Sequence, residues 1–369
     1  MASPIIHRLH DPNGPRVSHL RKRAIDDIGT RIKRAMNESI VAITEFLDRN
    51  LVRAAQVNAS AIGVNFDKVW YDLGSCALTY KDAEPIFRGN ACPAEYLGLF
   101  VINRTKYFYE VDQSEINAVD QLIARIVNKW VMDGQGLWSP QWYLSQYVNP
   151  SFEAGASDSL QSLQNISTAQ VVGREISTEV RGLDIQNLLM QPQYRRPIEL
   201  ISSRTFNDMD NLSSQMINDL RFIMAQSIAD GISAKDAAKR IQEKIWPEQG
   251  GYKFRAERIA RTEINAAYAQ AYLEVNDDMN ENLYSDGGFE AKIMHLSALT
   301  RTTRRSHAAR HGNTYTSDEQ AMWWAEDGNR IQCLCSVTSV LVDKKTGELL
   351  QQALYKKAQE QGESFFAGR

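Results

Sequence analysis

The fold is decided by residues 256–275, whose sequence is AERIARTEINAAYAQAYLEV. Apolar residues recur here at steps of three and four, which places them on one broad face of an α-helix. Glu263 falls inside that apolar face, one turn from Ile259 on one side and Ala267 on the other. Because burying an unpaired carboxylate costs free energy, the sequence predicts that a cationic side chain from elsewhere in the chain pairs with Glu263.

The segments on either side of this helix predict further helices and two strands. Residues 212–228 carry an apolar helical stripe that ends at Asp230-Gly231, and residues 234–245 carry another. Gly231 suits the left-handed position that ends a helix, and Ser233 suits the start of the next one. Residues 291–296 and 337–342 are typical of strands. We therefore expect α-helices and a small sheet in the same domain.

Three signatures in a fixed order resemble the phage Mu F-like minor head proteins, the head-morphogenesis proteins of tailed phages. They are the run Ala260-Arg261-Thr262-Glu263, the spacing Arg304-x-x-His307 followed by Gly312, and Cys333-x-Cys335 before a valine-rich strand. The resemblance extends over residues 168–342, and residues 1–160 do not share it. The chain departs from the family pattern at Thr300 and Arg301, where members commonly carry acids, at Arg305, where they carry proline, and at His311, where they carry aspartate.

The resemblance implies a structural protein of the virion with no catalytic residues. Its structural motif comprises Arg261, Glu263, Arg304, His307 and Gly312, and we expect Glu263 to pair with Arg304 or Arg301. The family's role implies recruitment by the portal protein, a place in the phage head near the portal vertex, and a part in head assembly or genome delivery. The major capsid protein or the scaffolding protein, and packaged double-stranded DNA, are further expected partners.

Composition sets limits on the protein class. The net charge of −3 at pH 7 gives no overall attraction to nucleic acid. The sequence contains no run of about 18 apolar residues, so we expect no contact with a membrane. The first residues lack the pattern of a secretory signal. Four cysteines in a chain of 369 residues then indicate reduced thiols and synthesis in the host cytoplasm.

The first 34 residues are locally basic, with eight basic and three acidic side chains. A helix is expected over residues 17–57, and its cations could contact DNA phosphates or an acidic partner. The alternative is a solvated helix face without a binding role. The candidate contact residues are Arg16, Arg21, Lys22, Arg23, Arg31, Lys33 and Arg34.

Four segments are predicted along the chain. Residues 1–150 form an N-terminal mixed helical domain with the basic arm and an unassigned function, and residues 151–200 form a linker and connecting helices. Residues 201–345 form the Mu F-like domain, and residues 346–369 complete a hairpin, add a short helix over 352–361 and end in a frayed tail. Within these segments, residues 113–131 predict a helix, and residues 149–159 have the Ser, Ala and Gly content of a linker.

Two groups of tryptophans and cysteines in the first 150 residues have open interpretations. Trp130, Trp138 and Trp142 could be contact residues for a partner protein or the lid of a core. Cys76 and Cys92 have no companion histidines, so buried free thiols are expected there.

The C-terminal cysteines and histidines offer the main site chemistry that the sequence suggests. An acid–base enzyme built on Glu263 with Arg304 is conceivable, but such a pair more often stabilises a fold. His307, His311, Cys333 and Cys335 form an acceptable zinc set, although C-x-C is not the usual C-x₂₋₄-C spacing. The interpretation without metal is a pair of half-buried thiols beside a locally bonded histidine. An alternative function is a metal-dependent hydrolase or nuclease using His307, Cys333 and Cys335, and a Cys–His catalytic pair is a weaker option. No cofactor is predicted, and zinc is the alternative.

The predicted fold is accordingly α+β and predominantly α-helical, with long helices and a small antiparallel sheet in the C-terminal Mu F-like domain.

Overall fold

The structure is a computed structural model that describes residues 14–63, 65–66, 69–72, 77–80, 83–88, 98–133, 139–168, 174–284 and 288–368. Cys76, Cys92 and Trp138 lie outside the described residues. No helix in the described part of the chain is both long enough and apolar enough to cross a membrane.

The elements before residue 150 are helices α1 (Gly14–Arg49), α2 (Gln113–Val131) and α3 (Gln141–Tyr143), with strands β1 (Leu51–Gly63), β2 (Asn65–Phe66), β3 (Val69–Asp72), β4 (Ala77–Tyr80), β5 (Ala83–Arg88) and β6 (Gly98–Tyr109) between α1 and α2. A π-helical turn, Leu144–Val148, leads into α4 (Asn149–Thr168), which is followed by α5 (Arg174–Gly182), α6 (Ile185–Leu189), α7 (Arg195–Asp230), α8 (Ala234–Ile245) and α9 (Gly251–Met279). The last elements are β7 (Phe289–Leu296), α10 (Arg305–Ala309), β8 (Thr314–Tyr315), α11 (Ser317–Ala325), β9 (Ser336–Asp343) and α12 (Gln352–Ala367). The fold is thus α+β and predominantly α-helical, as predicted.

The chain divides into two units. Unit 1 comprises Met1–Ser39, Ala124–Asp219 and Glu243–Arg369, and unit 2 comprises Ile40–Ile123 and Leu220–Gln242. In unit 2, β1 pairs antiparallel with β6 along their whole lengths, and β2, β3, β4 and β5 form a four-stranded antiparallel sheet in that order. The domain boundaries predicted at residues 150, 200 and 345 stay predictions.

The centre of unit 1 is α9 together with a three-stranded antiparallel sheet in the order β8-β7-β9. Strand β7 pairs with β9 from Phe289 opposite Asp343 to Leu296 opposite Ser336. On one side, α12 packs Ala358 into a cluster with Met294, Leu296 and Val340. Helix α9 contributes the Tyr272 hydroxyl, which accepts a hydrogen bond of 2.9 Å from the backbone N–H of Ser339. The predicted C-terminal sheet is therefore confirmed, and it lies against the central helix.

Three local predictions differ from the structure. The helix expected over residues 17–57 ends at Arg49, because β1 begins at Leu51 and pairs with a strand that lies far along the chain. Residues 149–159, expected as a linker, belong to α4, in which Phe152, Ala154 and Ala156 are buried. The tail expected to fray is part of α12, which continues to Ala367. Each of these errors reflects tertiary packing or pairing that overrides local composition.

Candidate functional site

Glu263 is buried in α9, as its place on the apolar face predicts, and only 1% of its surface is exposed. Its partner is Arg204 of α7, with 3.6 Å between Arg204 Nε and Glu263 Oε2. The predicted pair with Arg304 or Arg301 was therefore wrong. Burial raises the pKa of Glu263, whereas the positive charge of Arg204 opposes that rise. The requirement for a cation was read correctly from the sequence, but the cation comes from another helix.

Arg304 instead holds the loop that leads to the two C-terminal cysteines. Its guanidinium donates to the backbone carbonyl oxygens of Gly328, Asn329 and Ile331. It also contacts the ring of His307, with 3.1 Å between Nη1 and Nε2. Since arginine can only donate, Nε2 of His307 accepts this hydrogen bond, and Nδ1 is the nitrogen that carries the ring proton in this arrangement.

Two polar residues of α9 hold the same loop from the other side. The Thr262 hydroxyl accepts a hydrogen bond of 3.1 Å from the backbone N–H of Gln332. The Asn265 amide donates to the carbonyl oxygen of Cys333, and its own oxygen accepts from Arg21 at 2.6 Å. Sequence reasoning missed Asn265 and Arg204. The apolar face of α9 gave no signal for Asn265, because at 100° per residue this residue lies on the opposite side of the helix from Ala260 and Ala267 and is buried there all the same.

The other motif residues have local structural roles. Arg261 pairs with Glu257 one turn earlier on α9, at 2.6 Å. Gly312 has φ +79°, and a Cβ atom there would lie 3.0 Å from the side chain of Ala358 in α12. Its N–H donates to the carbonyl oxygen of His295 in β7 at 2.8 Å. Glycine is needed at this position both for the left-handed backbone and for the close approach of α12.

His307, Cys333 and Cys335 meet in one buried cluster, called here the Cys–His cluster. His307 Nδ1 lies 3.3 Å from the sulfur of Cys335 and 3.5 Å from the sulfur of Cys333. The backbone N–H of Cys335 donates to the sulfur of Cys333 at 3.3 Å. Hydrogen bonds from Cys335 and His307 lower the pKa of the Cys333 thiol, against the opposing effect of burial. A sulfur that receives this many donors is suited to carry negative charge.

His311, the fourth residue of the predicted zinc set, lies outside this cluster. Its Nδ1 accepts a hydrogen bond of 3.0 Å from the backbone N–H of Ser297. Among the described residues, the metal-compatible grouping contains His307, Cys333 and Cys335 alone. The spacing of four residues between His307 and His311 suggested one helical face, but α10 ends at Ala309, so the two rings do not share a face.

The signature residues therefore lie in α9, in and just after α10, and at the end of the loop that Arg304 holds, all in unit 1, and their order along the chain agrees with a known family. A family model described as Phage Mu protein F like protein matches residues 218–338. This segment is a Mu F-like domain. The match is narrower than the predicted span of residues 168–342, and it covers about a third of the chain. Searches of curated proteins and of solved structures find no match.

All the signature residues lie within the matched segment. The match agrees with the Mu F-like resemblance that the sequence predicted. Arg204, which pairs with the domain's buried glutamate, lies outside the matched segment.

A cavity of about 400 Å³ opens beside the Cys–His cluster of the Mu F-like domain. Arg261, Arg304 and the three threonines Thr300, Thr302 and Thr303 line it together with the cluster. Among the residues that the structure describes, none that lines this cavity carries a carboxylate. The cavity thus has a mixed polar and apolar lining, to which His307 and both cysteines contribute.

The ring of His307 is held in place by aromatic packing. Trp323 of α11 lies against it, with ring centroids 4.7 Å apart, and also packs edge-on against His295 at 5.2 Å. Burial lowers the pKa of His295 to about 3, so this second histidine stays neutral. The guanidinium carbon of Arg310 lies 3.6 Å from the centroid of the Tyr315 ring and 4.4 Å from the centroid of the Trp323 ring. The Cys–His cluster therefore has a rigid wall on this side.

The basic residues of the N-terminal arm contact other parts of unit 1. Arg21 is buried and bonded to Asn265, and Arg16 lies 4.0 Å from Glu153. Four more of these cations lie over aromatic rings: Arg23 over Tyr147, Arg31 over Trp142, Lys33 over Trp246 and Arg34 over Trp130. Lys22 is exposed. Contact of these residues with DNA or a partner stays a prediction, and the contacts within unit 1 give six of the seven a structural role.

Trp142 is buried and packs edge-on against Tyr143 and Tyr147. Of the two interpretations open from the sequence, the lid of a core is therefore the one that applies to Trp142.

Proposed function

We propose that this chain is a structural protein of a phage head, which the portal protein recruits during assembly and which acts in head morphogenesis or genome delivery. The main support is the use that the Mu F-like domain makes of its signature residues. Two of these residues, Thr262 and Arg304, hold the loop at residues 328–333, and Asn265 of the same helix as Thr262 holds it as well. Signature residues that hold a loop of their own domain in place give the domain a rigid surface. Such a domain does not need to turn over a substrate.

The proposed place of action is the virion, near the portal vertex. The major capsid protein or the scaffolding protein is a second proposed partner. Packaged double-stranded DNA is a weaker proposal, because most of the candidate cations are engaged by side chains of unit 1. Phosphate binding depends on cations that can approach the backbone of the nucleic acid.

A metal-dependent hydrolase or nuclease is the second candidate function. The cavity beside the Cys–His cluster favours it, because a substrate could reach the two sulfurs and the imidazole there. In the described part of the chain, the lining of that cavity offers no carboxylate to act as a general base. We therefore propose the structural role first.

The proposal is tested by co-expressing the full chain with the portal protein of the same phage and isolating a tag on the portal. We expect co-elution in a fixed ratio, and we expect mass spectrometry of purified heads to detect the chain. Absence from both the portal complex and the heads would overturn the proposal. Cleavage of DNA, RNA or an ester panel by the purified chain at rates that Cys333→Ser and His307→Asn abolish would favour the enzyme instead.

A matched pair of variants links the assay to the Mu F-like domain. Glu263→Ala removes the buried ion pair, and Glu257→Ala removes a half-buried one between residues one turn apart on the same helix. We expect the first variant to reduce recovery in the portal complex and the second to leave it unchanged. Equal recovery of the two variants would show that the intact Mu F-like domain is not what the portal protein binds.

A further inference from the structure

We propose that His307, Cys333 and Cys335 form a binding site for a thiophilic divalent metal ion, and that Zn²⁺ is the ion whose chemistry fits this ligand set best. Two thiolates and one imidazole are preferred ligands of zinc, whereas Mg²⁺ and Ca²⁺ prefer oxygen. The inference does not rest on the proposed role in the phage head, because it concerns the purified chain alone.

The distances among the three ligand atoms agree with tetrahedral coordination. With usual zinc–ligand bond lengths, a sulfur and a nitrogen on one tetrahedral ion lie about 3.6 Å apart, and two sulfurs about 3.8 Å apart. The observed distances from His307 Nδ1 to the sulfurs are 3.3 Å and 3.5 Å, and all three atoms lie within 4.8 Å of one another. Only small side-chain shifts are needed to place an ion at equal bond lengths from all three.

The surroundings of the three atoms also match those of a metal site. All three side chains are buried, with 3% exposure for His307, 7% for Cys333 and 5% for Cys335. One ring N–H cannot make two full hydrogen bonds, yet both sulfurs lie at nearly the same distance from Nδ1. An ion among the three would satisfy both sulfurs at once. The N–H of Cys335 on the sulfur of Cys333 is the kind of outer hydrogen bond that supports a thiolate ligand.

The loops that carry the ligands are held independently of any ion. Arg304 and Thr262 fix the loop before Cys333 from opposite sides, and Asn265 fixes the carbonyl of Cys333 itself. A site that is positioned before the ion arrives loses little conformational entropy on binding. The site therefore differs from a small zinc finger, which folds only when its metal binds.

Arg304 must change one contact when the ion binds. A metal on Nδ1 of His307 requires the ring proton on Nε2, where Arg304 now donates a hydrogen bond. The guanidinium has five N–H donors and keeps its bonds to the carbonyl oxygens of Gly328, Asn329 and Ile331 after leaving the ring. Metal binding should therefore be accompanied by a change of the His307 tautomer, which nitrogen-15 NMR of the ring can follow.

The fourth coordination position faces the cavity of about 400 Å³ beside the cluster. That space is large enough for several water molecules, so a water or a small ligand can complete the tetrahedron. Binding the ion releases the thiol protons that remain on the cysteines, so the affinity should fall as the pH is lowered.

The first test is the metal content of the full chain, purified under reducing conditions from cells grown with zinc. We expect about one zinc ion per chain, and replacement by Co²⁺ should give the sulfur-to-cobalt charge-transfer band and the intense visible absorption of a tetrahedral site. Cys333→Ser and Cys335→Ser should each lose stoichiometric zinc. His311→Asn, which changes the histidine outside the cluster and keeps an acceptor for Ser297, should retain it.

A measurement on the unaltered chain covers the case in which a cysteine variant fails to fold. Titration with an organomercurial that blocks thiols should release zinc in proportion to the two cysteines, and a metal-sensitive dye detects the release. Purified chain that holds less than about a tenth of an equivalent of metal and shows no cobalt spectrum would overturn the proposal. A Cys333–Cys335 disulfide found by mass spectrometry in the reduced preparation would overturn it as well, as would loss of zinc in His311→Asn while both serine variants keep it.

Discussion

Gly155→Ala tests the packing of α4 on the central helix α9. A Cβ atom at position 155 would lie 2.0 Å from the carbonyl oxygen of Tyr268 and 2.8 Å from its carbonyl carbon. Ordinary contact begins at 3.4 Å, so the two helices would have to separate by about 1.4 Å at this point. Neither clashing atom can rotate away, because both belong to the backbone of a helix.

The cost follows from the contacts that this separation strains. Overpacking of a filled interior costs about 1–3 kcal/mol. Two hydrogen bonds that join the same helices would lengthen as well, from Ser151 to the carbonyl oxygen of Ile264 at 2.7 Å and from Tyr268 to Asp158 at 2.9 Å. Each is worth about 0.5–1.5 kcal/mol. Alanine gains about 1 kcal/mol over glycine within a helix, so the free energy of unfolding should fall by about 1–5 kcal/mol in total.

Gly182→Ala is the matched control, because a Cβ atom on Gly182 at the end of α5 meets nothing within 4 Å. We expect urea unfolding, followed by circular dichroism, to place the midpoint of Gly155→Ala well below that of the unaltered chain and to leave Gly182→Ala unchanged or slightly higher. If the two variants unfold at midpoints that agree within error, α4 does not approach α9 as closely as described.

Three further predictions concern charged residues of unit 1. Glu263→Ala should lower the free energy of unfolding by about 2–4 kcal/mol, because it empties a buried position and leaves an arginine without its partner. Glu257→Ala, at a half-buried pair one turn apart on the helix surface, should cost under about 0.5 kcal/mol, and thermal melts with equal shifts for the two variants would contradict this. Burial raises the pKa of Asp277 from 3.8 to about 6, so the folded state holds this proton more tightly than the unfolded state, and stability should fall as the pH rises from about 4 to about 6. Asp277→Asn should remove this contribution of Asp277 to the fall in stability. If the urea midpoints of the variant and of the unaltered chain change in parallel across this pH range, Asp277 is not the group responsible. Arg304→Lys should make the peptide bond after Arg330 more accessible to trypsin, because one ammonium group cannot donate to three carbonyl oxygens in the geometry of a guanidinium. An unchanged cleavage rate would mean that Arg304 does not hold the loop.

Predictions from the sequence succeeded where a single helix carries its own evidence. The helix expected over residues 113–131 is α2 with the same limits, and the helix expected over 234–245 is α8. In both, apolar residues at helical spacing and the polar residues at the start are all local information. The expectation that a carboxylate on the apolar face of α9 is buried beside a cation was also correct.

Predictions failed where a partner distant in the chain decides the structure. Residues 149–159 have a loop-like composition, but their small side chains allow α4 to lie against α9. The residues after Arg49 continue a helical pattern, yet their pairing with β6 makes them a strand. Neither the packing of α4 on α9 nor the pairing of β1 with β6 can be predicted from local composition.

The sequence by itself determined the main helices, the α+β class, the order of the Mu F-like signatures and the need of Glu263 for a positive charge. Only the tertiary structure decided that Arg204 supplies this charge, that Arg304 holds a loop instead, and that His307 without His311 joins the two cysteines. The physical reason is that a buried polar group needs a partner, and the spacing of apolar residues along a helix shows which polar groups are buried. Which partner is near enough depends on distances between elements that local spacing does not contain.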